Sequence, residues 1–124
     1  MCVTVLVVDD FMDSRLTLRR TLEMGGCAVT EATDGEEAVE AVRRDCPDLI
    51  LLDLNMPRLD GLMAARKIRD LKGTCKDVPI VAITAFDTYG MKEAALEAGC
   101  DDYLTKPLDF DELNRVLRRF LPGW

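Results

Sequence analysis

Three aspartates, a threonine and a lysine carry the residue types and spacing from which chemistry can be built. Asp9 and Asp10 close the apolar run Val3–Val8, and Asp53 closes Leu49–Leu52. Thr84 follows Ile80–Ile83, and Lys106 follows Tyr103-Leu104-Thr105. Runs this short, bounded by polar and turn residues, read as strands buried inside a parallel sheet. Each polar side chain then falls at the carboxyl end of a strand, the edge where open α/β sheets bind ligands. Clustered carboxylates repel and raise the pKa of at least one of them unless a cation sits among them. Magnesium suits such a site: it takes oxygen ligands, a few from protein and the rest from water or phosphate. Lys106 supplies a point charge for a phosphate, and the Thr84 hydroxyl a hydrogen bond to an equatorial oxygen. A carboxylate nucleophile, a metal, a lysine and a hydroxyl together meet the needs of phosphoryl transfer.

Composition narrows the alternatives. The chain has 124 residues, no histidine, five cysteines and a net charge of −7. Without histidine, Ser-His-Asp, Cys-His and other histidine-based acid–base chemistry is excluded. The odd, widely spaced cysteines (Cys2, Cys27, Cys46, Cys75 and Cys100) include no C-x-x-C pair. They argue against a zinc site or a disulfide framework and are expected to be reduced, mostly buried small apolar residues. The acidic balance opposes a phosphate-backbone footprint, so no nucleic-acid partner is expected. No apolar run approaches the ~20 residues of a membrane span, and no signal peptide is visible. A cytoplasmic location and no membrane partner follow as expectations.

The elements that must position these residues can be placed along the chain. Strand 1, Val3 to Val8, leads to a helix over Met12–Met24 that Gly25-Gly26 stops. Strand 2 spans Cys27 to Thr30. Asp34-Gly35-Glu36-Glu37 has capping-box spacing and opens helix 2, which Pro47 separates from the central strand. Asp60 is a plausible N-cap for helix 3, which runs to about Lys72 with Ala65, Ile68 and Leu71 recurring every three residues. A polar loop over Gly73–Asp77 leads to strand 4, Val78 to Ile83, with Thr84 at its end. Helix 4 runs from near Thr88 to Ala98, weakened near its start by Gly90. Strand 5, Cys100 to Leu104, precedes a helix capped by Asp109, with Phe110, Leu113, Val116, Leu117 and Phe120 on one face. Arg115, Arg118 and Arg119 are expected on its solvated side. Five strands alternating with five helices define a single doubly wound α/β domain, a (βα)5 flavodoxin-like fold with right-handed crossovers. Strand order 2-1-3-4-5, one of few such a chain commonly adopts, would bring the three carboxylates together at the switch point.

These stretches, VLVVDD at 5–10, DLILLDLNMPRLDG at 48–61, ITA at 83–85 and YLTKP at 103–107, resemble a response-regulator receiver domain in order and spacing. The resemblance covers essentially the whole chain, 1–124, and points to a stand-alone, chemotaxis-regulator-like member of two-component signalling. It implies that Asp53 is the phosphoacceptor and that Asp9, Asp10, Asp53 and the Asn55 backbone carbonyl hold Mg2+. It further implies that Thr84 and Lys106 receive the phosphoryl oxygens and that Lys106-Pro107 is cis. Thr84 would couple to Tyr103 in a switch that changes the face formed by helix 4, strand 5 and helix 5. The implied partners are a histidine kinase or histidine phosphotransfer protein as donor and a downstream target protein. The chain would be a monomer or a weak phosphorylation-dependent dimer. Phe86, two residues after the threonine, is expected to shield the phosphoaspartate and slow its hydrolysis.

Bland readings stand beside these. Asp9 and Asp10 can cap a helix, and Tyr103 can be an ordinary half-buried strand residue. Competing functions are a magnesium-dependent phosphohydrolase working through an Asp53 phosphoenzyme and a constitutive protein-interaction module. Haloacid-dehalogenase-like hydrolases need a second acid two residues after the nucleophile, where this chain has Asn55. A flavodoxin-like cofactor site would need a Gly-rich phosphate loop after strand 1, and none is there. The expected chain is therefore a phosphoacceptor switch and not an enzyme acting on an external substrate. Met1 lies close to strand 1, as a native start would, and no output domain is expected after Pro122-Gly123-Trp124; the alternative is one domain excised from a larger chain.

Overall fold

The computed structural model describes residues 3–56, 60–71, 73–85, 90–121 and 123–124. Five strands, β1 (Thr4–Val8), β2 (Ala28–Ala32), β3 (Leu49–Asp53), β4 (Ile80–Thr84) and β5 (Asp102–Thr105), form one parallel sheet in the order β2-β1-β3-β4-β5. Between and after them run α1 (Met12–Met24), α2 (Gly35–Arg44), α3 (Asp60–Arg69), α4 (Met91–Glu97) and α5 (Phe110–Phe120). This is the flavodoxin-like order expected from the sequence. No helix among the described residues is long and apolar enough to cross a membrane.

Strand alternation divides the core in two. Val5, Val7, Leu49, Leu51, Val81, Ile83 and Leu104 face α1 and α5, where they meet Leu18, Leu22, Leu113 and Leu117. Leu6, Val8, Ile50, Leu52, Ile80 and Ala82 face the other way, onto Val39, Val42, Ala65, Ile68 and Ala95. Both faces of β3 are therefore apolar, and all five of its residues are buried. A strand of this kind reads as a continuous apolar run because neither face meets water.

Local chemistry explains where the elements begin. The Asp34 side chain accepts from the Glu37 N–H at 2.8 Å, and the Glu37 carboxylate accepts from the Thr33 N–H at 2.8 Å. The box thus closes one residue earlier than its usual form, on Thr33 instead of the cap itself. Asp109 caps α5 by accepting from the Asp111 N–H at 2.9 Å.

Several expected boundaries move. Strand β2 starts at Ala28 and runs on to Ala32, while β5 starts two residues late and ends at Thr105. Pro79, which has no N–H to give, lies just outside β4. α3 ends at Arg69, and the expected polar loop contains a 3₁₀ turn, Thr74–Asp77. Gly90 is not inside α4 but is its N-cap, at φ 90°, where glycine carries little penalty; the expected start near Thr88 lies outside the described residues. Phe110 is 49% exposed and not part of the buried face of α5. Of the four cysteines described, Cys27 and Cys100 are buried, Cys75 is half-buried and Cys46 is exposed, so the thiols are less uniformly buried than expected.

Candidate phosphoryl-transfer site

The strand ends bring Asp9, Asp10, Asp53, Thr84 and Lys106 to one edge of the sheet. Asp9 and Asp53 are 2% and 3% exposed, Asp10 is exposed, and Thr84 is fully buried. One carboxylate oxygen from each aspartate lies within 4.8 Å of the others. In an octahedron with magnesium–oxygen bonds of about 2.0–2.1 Å, opposite ligands stand about 4.2 Å apart. The three oxygens therefore need only a small contraction to close on one hard divalent cation, and the all-oxygen donor set fits it.

Backbone and side-chain contacts hold the acids in place. Asp9 Oδ1 accepts from the Phe11 N–H at 2.9 Å, and Asp53 Oδ1 accepts from the Asn55 N–H at 2.8 Å. Lys106 Nζ is 3.3 Å from Asp53 Oδ2 and 4.0 Å from Asp9 Oδ2. The Lys106 N–H donates to the Thr84 carbonyl at 2.8 Å, which fixes where the lysine leaves β5. The Lys106-Pro107 bond is cis.

Desolvation pushes the Asp9 carboxyl up from 3.8 to about 6. The charge of Asp53 and a hydrogen bond shared with it act in the same direction, while the Phe11 N–H and Lys106 oppose.

Alternation also sorts the remaining residues. Lys106 continues the parity of Leu104 and Asp53 that of Leu51, both toward α1 and α5. Thr84 continues the parity of Ala82, whose partner across β4 and β5 is Tyr103. Thr84 and Tyr103 thus lie on the α4 side, one pairing step apart. Tyr103 is half-buried and packs against the core there.

Two contributors were not singled out in the sequence. Arg15, in the first turn of α1, donates from Nη1 to the Asp9 carbonyl at 3.0 Å and is itself held by Glu31 at 2.9 Å. The signal was available only as a pairing: Glu31 lies opposite Val7, two residues before Asp9. The Asn55 side-chain oxygen accepts from the Ala85 N–H and joins the loops after β3 and β4. Beside the acids a cleft of about 330 Å³ is lined by Asp13, Leu18, Lys106 and Phe110 among others. Phe11, Met12 and Phe110, near this cleft in sequence or lining it, are 59%, 56% and 49% exposed. Arg115 and Arg119 are solvated on α5, paired with Glu112 and Asp102. Phe86 lies outside the described residues.

A parallel 2-1-3-4-5 sheet with an acidic pocket and a lysine at its switch point defines a class of signalling domain, and the comparisons agree. The chain matches the response regulator receiver domain family over residues 5–118 and belongs to it. It is 46% identical over 121 residues to the response regulator MprA of Mycobacterium tuberculosis (strain ATCC 25177 / H37Ra), covering 98% of this chain and 51% of that protein. The chain thus spans about half the length of the curated relatives it matches. Among solved structures it is similar to the receiver domain of the sensor histidine kinase PA1611 from Pseudomonas aeruginosa PAO1, which has a magnesium ion coordinated in the active site cleft. That similarity has a TM-score of 0.87 at 38% identity and covers 97% of this chain and 98% of the other. It is also similar to the receiver domain of Ssk1, seen in complex with the histidine phosphotransfer protein Ypd1 of Saccharomyces cerevisiae. Here the TM-score is 0.86 at 32% identity, with coverage of 96% and 88%.

Proposed function

We propose that this chain is a magnesium-dependent phosphoacceptor switch, with Asp53 taking a phosphoryl group from a phosphohistidine donor. The observation that carries the reading is the buried Asp53 carboxylate, placed between the lysine 3.3 Å away and two further acids. Asp9, Asp10, Asp53 and the Asn55 carbonyl would hold Mg2+. When bound, the ion supplies positive charge that neutralises the phosphoryl oxygens and the clustered carboxylates. An Asp53 oxygen attacks phosphorus, the P–N bond to the donor imidazole breaks, and the imidazole leaves carrying a proton from solvent. Lys106, released from its direct pairing with Asp53, meets a phosphoryl oxygen, and the Thr84 hydroxyl turns to another. These are positioning and charge-neutralising roles, which is how most phosphoryl-transfer catalysis is achieved.

Movement of Thr84 empties space next to Tyr103 on the same sheet face. An inward turn of the ring alters the α4-β5-α5 surface that a downstream protein reads. The exposed Phe11, Met12 and Phe110 suit the apolar part of a donor's docking face beside the cleft. The complex named for the Ssk1 receiver, with a histidine phosphotransfer protein, supports a donor of that kind. Beyond its own phosphorylation and dephosphorylation the chain acts on no substrate: Asn55 offers no carboxyl for a hydrolase's general acid.

Intact mass after incubation with a small acyl-phosphate donor tests the reading. One phosphoryl increment is expected, dependent on magnesium and absent in Asp53→Asn. No increment in a rapidly quenched reaction with excess donor would overturn it and favour a constitutive interaction module.

A further inference from the structure

Asp9 and Asp10 are neighbours in sequence, and neighbours along an extended strand point to opposite faces of a sheet. Their carboxylates nevertheless converge, together with Asp53, to within 4.8 Å. The chain therefore has to leave strand geometry after Val8, and it bends at Asp10. Asp9 is buried, and its side chain is fixed by the Phe11 N–H at 2.9 Å. Asp10 is exposed, so its carboxylate points where the bend in the backbone sends it. Whatever holds that bend also aims the exposed acid.

The bend falls where the β1–β2 ladder runs out. The Val3 carbonyl accepts from the Ala28 N–H at 2.8 Å, and the Asp9 N–H donates to the Ala32 carbonyl at 3.1 Å. Continued in the same two-residue rhythm, the Asp9 carbonyl would accept from Asp34. Strand β2 has ended at Ala32, however, and Asp34 is the N-cap of α2. Arg15 Nη1 takes the vacant place at 3.0 Å. A peptide unit is planar, so this grip on the Asp9 carbonyl orients the whole Asp9–Asp10 link. Arg15 is itself braced: its Nε donates to Glu31 Oε1 at 2.9 Å, and its side chain is 16% exposed. Arg19 occupies the other Glu31 oxygen.

From this geometry we infer that Arg15, braced by Glu31, is a positioning residue of the magnesium site. It holds the Asp9–Asp10 bend so that a buried and an exposed acid meet on one cation. The inference rests on the metal site of the proposed function and adds the residue that shapes it. Charge alone argues the opposite way. Arg15 is a cation bound to the backbone of a cation site, so Coulomb repulsion predicts that removing it tightens magnesium. Positioning predicts that removing it loosens magnesium, by the roughly 10–100-fold typical of residues that orient a metal's ligands. The two effects have opposite signs, and the measured direction decides between them.

The test is magnesium titration of the full chain by calorimetry, with urea unfolding in chelator to show that each variant is folded. Arg15→Met should bind the ion roughly tenfold or more weakly than wild type. Arg19→Met removes the same charge one turn farther along α1 and leaves both Arg15 bonds in place, so its affinity should match or exceed wild type. Glu31→Gln keeps an acceptor for Arg15 Nε and should stay near wild type, whereas Glu31→Ala loses the brace and should bind more weakly. With a small acyl-phosphate donor, Arg15→Met should need more magnesium for its half-maximal rate yet approach the wild-type rate at saturation. Unchanged or tighter binding by Arg15→Met, or an equal loss in Arg19→Met, would overturn the inference and leave the phosphoacceptor reading intact. Equal affinities of Glu31→Gln and Glu31→Ala would do the same, and that pair carries the test even where Arg15→Met does not fold. A wild type that takes up no magnesium would instead overturn the reading of the site, and this inference with it.

Discussion

Replacing Asp9 with asparagine should make the metal-free protein more stable at neutral pH while removing its response to magnesium. In the folded chain the Asp9 carboxyl titrates near 6 against a reference of 3.8, mainly because burial disfavours its charge. The folded state thus binds a proton that the unfolded state releases. The stability this contributes is fully present below 3.8 and is lost as pH rises through about 6. The rise from 3.8 to about 6 corresponds to ~3 kcal/mol at 1.36 kcal/mol per pH unit. About half of that loss has already accrued by pH 5, which leaves about 1 kcal/mol to appear between pH 5 and pH 7.

The chain has no histidine, so few other groups titrate in that window. Asparagine keeps the Oδ1 acceptor for the Phe11 N–H, and its amide can donate to Asp53, so local geometry is preserved. Urea titrations of wild type and Asp9→Asn in chelator, at about pH 5 and pH 7, measure the difference. Its growth by about 1 kcal/mol should appear as a widening of the midpoint gap by roughly 0.3–1 M. Magnesium at pH 7 should then raise the wild-type midpoint and leave the variant's unchanged. Parallel pH profiles, or a variant less stable than wild type at pH 7, would refute the assignment of a strained, cation-seeking acid.

Three further substitutions probe the frame. Arg69 donates to the Gly99 and Val78 carbonyls at 2.9 and 2.7 Å and pairs with Asp101 at 2.8 Å. Arg69→Ala should therefore cost about 2–3 kcal/mol in urea unfolding. Gly99→Ala should cost about 1–3 kcal/mol, because φ is +105° and the new Cβ would stand 2.6 Å from Arg69 Cγ. Unchanged midpoints would show that this network is dispensable. Gly25→Ala would place a Cβ 2.3 Å from the Trp124 ring, which also donates from Nε1 to Asn114 at 3.1 Å. Because Trp124 is the chain's single tryptophan, its displacement should be read as a red-shifted emission, and an unmoved spectrum would contradict the packing.

The fold was legible because the strands are buried on both faces and write themselves as apolar runs, with polar residues concentrated at their ends. What blurred was set by pairing and not by composition. Cys27 and Cys100 are as apolar as strand residues, yet each lies just outside its strand. Thr105 looks like a loop residue but pairs with Thr84. Phe110 fits the period of α5, but it sits in the first turn beside the cleft, where the chain leaving Pro107 does not cover it. The site was legible for a related reason: its polar residues are the ones that interrupt buried strands, and alternation then decides which way each one faces. Arg15 and the Asn55 side chain escaped because their partners, a carbonyl of Asp9 and the N–H of Ala85, are backbone groups that no residue type announces. The Asn55 contact joins two loops that the sheet places side by side only once strand order is known. In a parallel sheet every neighbouring pair of loops is remote along the chain. Contacts between those loops are therefore the part of the site that single-residue chemistry reveals last.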